Sequence, residues 1–492
     1  MKVLHIITGL DIGGAEQQLR LMLRHLPVES EVVTLTAPGA VARGIASDGT
    51  PVTHLGMAGN RDVGALPRLV RLVRQGRYDV VHTHLYRACV YGRIAARAAG
   101  VRTVVATEHS LGDSQIEGRP LSAGTRGLYL ATERLGSATV AVSESVARRL
   151  EAWGVRPARI QVVPNGIDRT RFAFDEDARR AARSRLGLPQ DAFVVGGVGR
   201  LAPGKRFDRL IRAVASIPEA RLLLVGDGDE RGRLETVARE CGAADRMLLT
   251  GACEDPPRGA AGGATAGLGA VGRSEADLVH AAARSEDGRA EGRSKDGRVC
   301  AAGPTEPGGG TASPGETGPG PARRSQDSRL APVVQGQADR LAAPRRSEDG
   351  LVSAAGRCDA ARAGEARRAA AGAGEGRLAT AAELPPLPSL LSAMDAFVST
   401  SPDEAFGLAI VEALAAGLPV LYVACPAVDD LPPDAAPGAR RIGESVPELI
   451  SALRGIREAR LGRLPQPAAA YRYDIAHSAR QLMNLYESLP VK

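Results

Sequence analysis

A chain of 492 residues is long enough for two or more domains, each with its own core. Aromatic residues make up 3% of it, too few for base stacking along single-stranded nucleic acid, so no nucleic acid is expected as a partner. The formal charge of +7 suits anionic ligands or a lipid surface without choosing between them.

The opening Met1–Ile7 reads as a short buried strand that runs into a glycine loop, not as a signal peptide, and no apolar run reaches membrane-spanning length. Strands are predicted at 3–8, 31–36, 52–55, 79–84, 102–107 and 139–143, with helices such as 16–26 and 66–75 between them. Short apolar runs spaced by amphipathic helices indicate a parallel sheet covered on both faces. The segment 160–168 closes this half, and a polar bridge follows. The pattern restarts with strands at 193–198, 221–225 and 247–250. It resumes after an interruption with a helix at 387–394, a strand at 396–400, a helix from near Phe406 to Gly417, and a strand at 419–424. A last helix is predicted at 478–489. Two doubly wound units of this kind place ligands at the carboxyl ends of their strands.

The interruption, about 256–384, contains no Phe, Tyr, Trp, Ile or Met and repeats an Arg-Ser-x-Asp unit, as at Arg284-Ser285-Glu286-Asp287 and Arg346-Ser347-Glu348-Asp349. Such a segment cannot bury enough apolar surface to offset its ordering entropy, so disorder is expected. Six cysteines, Cys89, Cys241, Cys253, Cys300, Cys358 and Cys425, show no C-x-x-C pair, which fits free thiols in a reducing cytoplasm. The expected location is cytoplasmic, with a peripheral place at the inner membrane face as an option. Arg68, Arg71 and Arg74 form a helical stripe that reads as a solvated face, with anionic lipid as the alternative.

Three constellations carry chemistry. The loop Thr8–Glu16 contains Gly13 and Gly14, which let backbone approach a ligand; it lacks the G-x-G-x-x-G order of a dinucleotide site. In Gly197–Phe207, Arg200 and Lys205 can converge on a pyrophosphate. Only four lysines occur in the chain, and Lys205 alone lies within a folded-looking core; an ammonium is a compact charge suited to one phosphate oxygen. In Ser401–Val420, Glu404 precedes a helix start and Glu412 follows inside it. Free helix N–H groups there can meet an anion while the two carboxylates hold hydroxyl groups, a layout that suits a nucleotide-sugar. Asp227-Gly228-Asp229 reads as a turn rather than a metal motif. His82 and His84 share a strand face, but no third ligand has suitable spacing, so no metal site is expected.

Gly13-Gly14-Ala15-Glu16, His109, Val163–Asp168, Arg200 with Lys205, and Glu404–Glu412 resemble, in order, the motifs of the large retaining glycosyltransferase family often called family four. The resemblance covers nearly everything outside 256–384. It implies an α/β GT-B fold: two Rossmann-like doubly wound domains facing a cleft, with a disordered insertion in the second. The implied domains are an acceptor-side domain at 1–170, a linker at 171–191, a nucleotide-sugar domain at 192–255 and 385–476, the insertion at 256–384, and a helix in 477–492 that crosses back to the first domain. The implied reaction moves a sugar from a nucleotide diphosphate-sugar co-substrate to an acceptor hydroxyl, with retention and without metal or other cofactor. The acceptor would be a sugar, a lipid-linked molecule or a small molecule, in polysaccharide, glycolipid or glycosylated-metabolite biosynthesis. By resemblance, His109 contacts the donor sugar, Gly13 and Gly14 face sugar and acceptor, and Arg200 and Lys205 stabilise the leaving diphosphate. Glu404 would hold sugar hydroxyls, Glu412 the ribose, and the backbone amides of Phe406, Gly407 and Leu408 the sugar or phosphate. The stretch Pro426–Pro433 departs from the family's glycine-rich turn. A nucleotide-sugar epimerase of the same fold, or a non-catalytic interaction protein, are the alternatives.

Overall fold

A computed structural model describes residues 1–59, 62, 64–112, 115–116, 119–253 and 384–490. Its first lobe runs β1 (Lys2–Ile7), α1 (Gly14–Leu23), β2 (Glu29–Thr34), α2 (Gly39–Ser47), β3 (Val52–His54), α3 (Ala65–Gly76), β4 (Val80–His84), α4 (Tyr86–Ala98) and β5 (Thr103–Glu108). A small hairpin, β6 (Gln115–Ile116) and β7 (Arg119–Pro120), then leads to α5 (Ala123–Glu133), β8 (Ala138–Ala141), α6 (Glu144–Trp153) and β9 (Ile160–Val162). The seven larger strands form a parallel sheet in the order β3-β2-β1-β4-β5-β8-β9. Alternation decides its two faces. Leu4, Ile6, Val81 and Val104 pack against α3 and α4, whereas Val3, Val80, Val105 and Val140 face a helix from the far end of the chain.

That helix spans Ile475–Ser488. It begins three residues before the predicted start because the Asp474 carboxylate accepts the Ala476 N–H at 3.0 Å and caps it. Ile475, Ala479, Leu482, Leu485 and Tyr486 are buried against the first sheet. Each large apolar side chain there contributes about 1.5–3 kcal/mol, which fixes the C-terminus to the N-terminal lobe. The approach is pinned by backbone pairing, Ile475 N–H to Ile167 O at 2.9 Å and Ile167 N–H to Tyr473 O at 2.8 Å.

The bridge between the lobes is more ordered than its polar composition suggests. It contains α7 (Glu176–Arg185), whose Arg179 and Arg183 both donate to Asp395 at 2.7 Å. The second lobe continues β10 (Phe193–Val198), α8 (Phe207–Ala215), β11 (Ala220–Val225), α9 (Arg231–Glu240) and β12 (Met247–Leu249). After residue 384 come the helix Leu387–Ala393, β13 (Ala396–Ser399), the helix Leu408–Ala415, β14 (Val420–Tyr422), a short helix Pro426–Asp429 and β15 (Ala439–Arg441). Its parallel sheet has the order β12-β11-β10-β13-β14-β15. The predicted strands recur to within about two residues at their ends, while β9 and β15 join as edge strands that were not anticipated. The disorder expected for 256–384 falls, apart from Leu384, outside the described residues. The chain on its two sides meets again, with Cys253 Sγ 3.4 Å from the Pro385 carbonyl.

Both sheets reverse their strand order beside their first strand, β1 next to β4 and β10 next to β13. Ligands bind beyond the carboxyl ends at such points. The segments that emerge there are the Gly13 loop, His84, the Arg200 loop and the Glu404 loop.

Candidate functional site

Lys205 ends a 3-10 turn, Pro203–Lys205, two residues before α8 begins at Phe207. Thr400, at the end of β13, donates its hydroxyl to the Lys205 carbonyl at 2.7 Å and to the Arg206 carbonyl at 3.0 Å. The two strand-end loops are thereby tied together, and Lys205 Nζ reaches Glu404 Oε1 at 2.5 Å. Arg200 occupies the same loop, held from behind by Gly199 N–H to Val225 O at 3.0 Å and Leu201 N–H to Asp227 O at 2.9 Å. The Asp227-Gly228-Asp229 stretch is a turn whose Asp227 carboxylate accepts the Gly228 N–H at 2.9 Å.

Arg200 reaches the other lobe. A methyl group placed on Gly13 would overlap the Glu16 carboxylate and lie 3.1 Å from Arg200 Nη2, and one placed on Gly14 would lie 3.7 Å from Leu408 Cδ1. Gly13 and Gly14 thus face the Arg200 loop and the start of the helix Leu408–Ala415 across the cleft, and at Gly13 a side chain would crowd Glu16 and Arg200, whereas at Gly14 a methyl group would make an ordinary contact.

The helix that carries Glu412 starts at Leu408, two residues later than expected. Gly407 has φ of +100°, a left-handed conformation that breaks the helix, and a Cβ on it would come within 2.5 Å of Cys425 Sγ. The carbonyl of Phe406 is already engaged by Ala427 N–H at 2.9 Å, and its ring stacks edge-on against Tyr473 at 5.0 Å. The unusual Pro426–Asp429 segment therefore buttresses the helix start. Glu412 stands in the second turn, half-buried.

Arg149, on α6, was not anticipated. Its guanidinium donates to the Leu111 carbonyl at 2.8 Å and to Asp403 Oδ1 at 2.9 Å, so it joins the segment after His109 to the residue before Glu404. Ser143, which caps α6, donates to the Ala405 carbonyl at 2.7 Å. A lone arginine in a surface-patterned helix carries no local signal of this role.

His109 is half-buried, and it pairs inward rather than across to Lys205 and Glu404: its Nε2 lies 3.2 Å from His84 Nδ1. Burial lowers its pKa to about 4, so it is neutral near pH 7. Behind it, the reading that His82 and His84 have no third ligand is corrected. Strand β1 pairs with β4 and brings His5 alongside, so that His5, His82 and His84 each place a ring nitrogen within 4.8 Å of the others. Spacing along the chain does not report on a neighbour in a parallel strand 77 to 79 residues away. Among the described residues this is the cluster with the donor set for a metal ion. No described helix is long and apolar enough to cross a membrane.

Comparison with known proteins agrees with this geometry. The model for Glycosyltransferase Family 4 matches residues 12–171, and that for Glycosyl transferases group 1 matches 178–258 and 381–439. The chain is 29% identical over 205 residues to the UDP-Gal:alpha-D-GlcNAc-diphosphoundecaprenol alpha-1,3-galactosyltransferase of Escherichia coli, covering 40% of this chain and 53% of that protein. It is 32% identical over 268 residues to the D-inositol 3-phosphate glycosyltransferase of Acidothermus cellulolyticus, covering 49% and 56%. The chain thus spans about half the length of the curated relatives it matches. Among solved structures, Anabaena HepE in complex with UDP and glucose superposes with a TM-score of 0.65 at 18% identity, over 99% of this chain and 100% of that one. The two sheets, their order and the two family models, one on each lobe, show that the chain belongs to glycosyltransferase family 4 and has the GT-B fold.

Proposed function

We propose that the protein transfers a sugar from a uridine diphosphate-sugar to an acceptor hydroxyl with retention at the anomeric carbon, without a metal. The observation that carries this reading is the Lys205–Glu404 pair, with Arg200 of the same loop as Lys205 reaching Gly13, at the switch points of both sheets. The choice of uridine is supported by the relatives: the E. coli enzyme is named for UDP-Gal, and HepE was solved with UDP.

Arg200 and Lys205 supply fixed positive charge where the bond between sugar and diphosphate breaks. Ile410 and Val411 N–H donate to the Gly407 carbonyl, which leaves the first N–H groups of the helix, those of Leu408 and Ala409, to face the same anion. Glu404, oriented by Lys205, holds sugar hydroxyls; Glu412 holds the ribose; His109 contacts the donor sugar as a neutral imidazole. On this arrangement the acceptor oxygen bonds to the anomeric carbon on the face the diphosphate leaves. The acceptor proton passes to a departing phosphate oxygen, which balances the step without an enzymic nucleophile. Membrane contact, if the acceptor is lipid-linked, falls to α3, where Leu66, Pro67 and Val70 lie beside Arg71. Arg68 and Arg74 are already committed to Asp62 and the Ala98 carbonyl.

A panel of nucleoside diphosphate-sugars in a thermal-shift assay tests the donor site, and NMR of the product's anomeric carbon tests retention. Stabilisation by a UDP-sugar but not by its free sugar is expected. No shift with any diphosphate would remove the proposal, and conversion of donor to an epimer without acceptor would replace it with an epimerase. Tolerance of Glu404→Ala in a protein that binds no nucleotide would point to an interaction protein instead.

A further inference from the structure

Four imidazoles line one face of the first sheet. His5 and His84 stack with ring centres 5.4 Å apart, His84 and His109 lie at the same separation with their rings tilted by 32°, and His82 lies 4.2 Å from His84. His5, His82 and His84 are buried. Their nitrogens form an ordered chain: His5 Nδ1 to His84 Nε2 at 3.2 Å, then His84 Nδ1 to His109 Nε2 at 3.2 Å. His82 stands outside the chain, with Nδ1 held by the Tyr486 hydroxyl and Nε2 by the Thr107 hydroxyl, each at 2.6 Å.

We propose that His84 is a positioning residue for the sugar transfer, and that with His5 behind it it fixes the tautomer and ring orientation of His109. The inference rests on the proposed contact of His109 with the donor sugar. Each ring-to-ring bond needs one N–H and one lone pair. Three neutral rings hold three N–H groups, and the two bonds use two of them. The third must sit at one end, on His5 Nε2 or on His109 Nδ1, and both of these atoms are enclosed and unpartnered among the protein atoms. An unpaired N–H on His5 would be sealed in the sheet, where orphaned donors are rarest. His5 is fully buried whereas His109 is the half-buried end of the row, so the arrangement leaves a lone pair on His5 and sets the N–H on His109 Nδ1, an enclosed atom that a sugar oxygen in the cleft meets once the ring is uncovered. Burial holds all four rings below their usual pKa, His5 to about 3, so the neutral count is maintained near pH 7.

A metal ion bound by His5, His82 and His84 is the competing account of the same cluster. It would have to displace one of the two bonds of His84 and one of the two short bonds of His82, whereas the relay keeps every one of them.

The test uses the full chain with 15N-labelled histidine, and it reads the relay separately from activity. In the wild type, His109 is expected as the Nδ1–H tautomer, with scalar coupling across the His84–His109 hydrogen bond. His84→Phe, which keeps an aromatic ring without nitrogens, should abolish the single tautomer. It should lower turnover between roughly tenfold and a hundredfold with UDP-glucose as donor probe, with UDP affinity within about twofold. His5→Phe should give the same spectral change at His84 and a smaller loss. An Nε2–H tautomer in wild-type His109, an unaltered tautomer in His84→Phe, or stoichiometric cobalt(II) binding that His5→Phe removes would each overturn the relay. If His109→Ala retains full turnover while the wild-type spectrum shows the relay, the role given to His109 in the reaction fails and the relay itself stands.

Discussion

Replacing Lys205 with alanine separates a catalytic charge from a structural one. Its ammonium lies 2.5 Å from Glu404, with side chains 32% and 15% exposed. A partly solvated pair of this kind contributes about 1 kcal/mol or less to stability once screening is counted, so the melting temperature of Lys205→Ala should stay close to that of the parent. Turnover should respond far more. A unit charge about 4 Å from a developing phosphate charge, at an effective dielectric of about 20, contributes on the order of 4 kcal/mol. Loss of one preorganised group of this sort lowers turnover by roughly 10²–10³. The variant also leaves the Glu404 carboxylate without its counter-charge beside the diphosphate, which works in the same direction. The assay is UDP release from a donor-saturated enzyme, with thermal denaturation run in parallel. Turnover within about threefold of the parent, in a variant that still binds UDP, would refute the placement of the leaving group at Lys205.

Arg149→Met should lower turnover about tenfold, because a charged donor to the Leu111 carbonyl and to Asp403 is lost; exchanging the pair as Arg149→Asp with Asp403→Arg should recover part of the ion-pair contribution, and equal loss in single and double variants would show no coupling. Gly407→Ala should cost about 2 kcal/mol or more in urea denaturation, from a φ of +100° and the collision with Cys425 Sγ. Adding Cys425→Ala should restore only the packing share, and full recovery would mean that the left-handed conformation is not needed. The buried histidines stay neutral in the folded state while the unfolded chain takes up protons below about pH 6.5, so stability is full above that pH and falls as pH drops toward about 4 for His109 and about 3 for His5. Each such ring contributes a slope of up to about 1.4 kcal/mol per pH unit between pH 6.5 and 5, where carboxylates add little. Denaturant midpoints that are flat from pH 7 to 5, or unchanged in slope by His5→Phe, would contradict it.

Much of the architecture is legible in local pattern. Buried parallel strands announce themselves as short apolar runs, and the residues that follow them, Gly13–Gly14, Arg200–Lys205 and Glu404, are marked because strand-end loops in such sheets face the ligand. The helix that carries Glu412 starts two residues beyond Phe406 because Gly407 is left-handed and the Phe406 carbonyl beside it is held by Ala427, which lies beyond the helix. The start of the C-terminal helix has a local signal, since Asp474 is a capping residue.

The amino-acid order by itself determined the alternation of strand and helix, the two-lobed organisation and the motif residues, because those depend on side-chain period and on glycine, proline and charge within a few positions. Only the tertiary structure decided that Arg149 links Leu111 to Asp403, 254 residues away, and that His5 completes a row with His84 and His109. Those contacts are set by strand order, parallel register and the docking of one lobe on the other, and none of these leaves a trace in the spacing of residues along the chain.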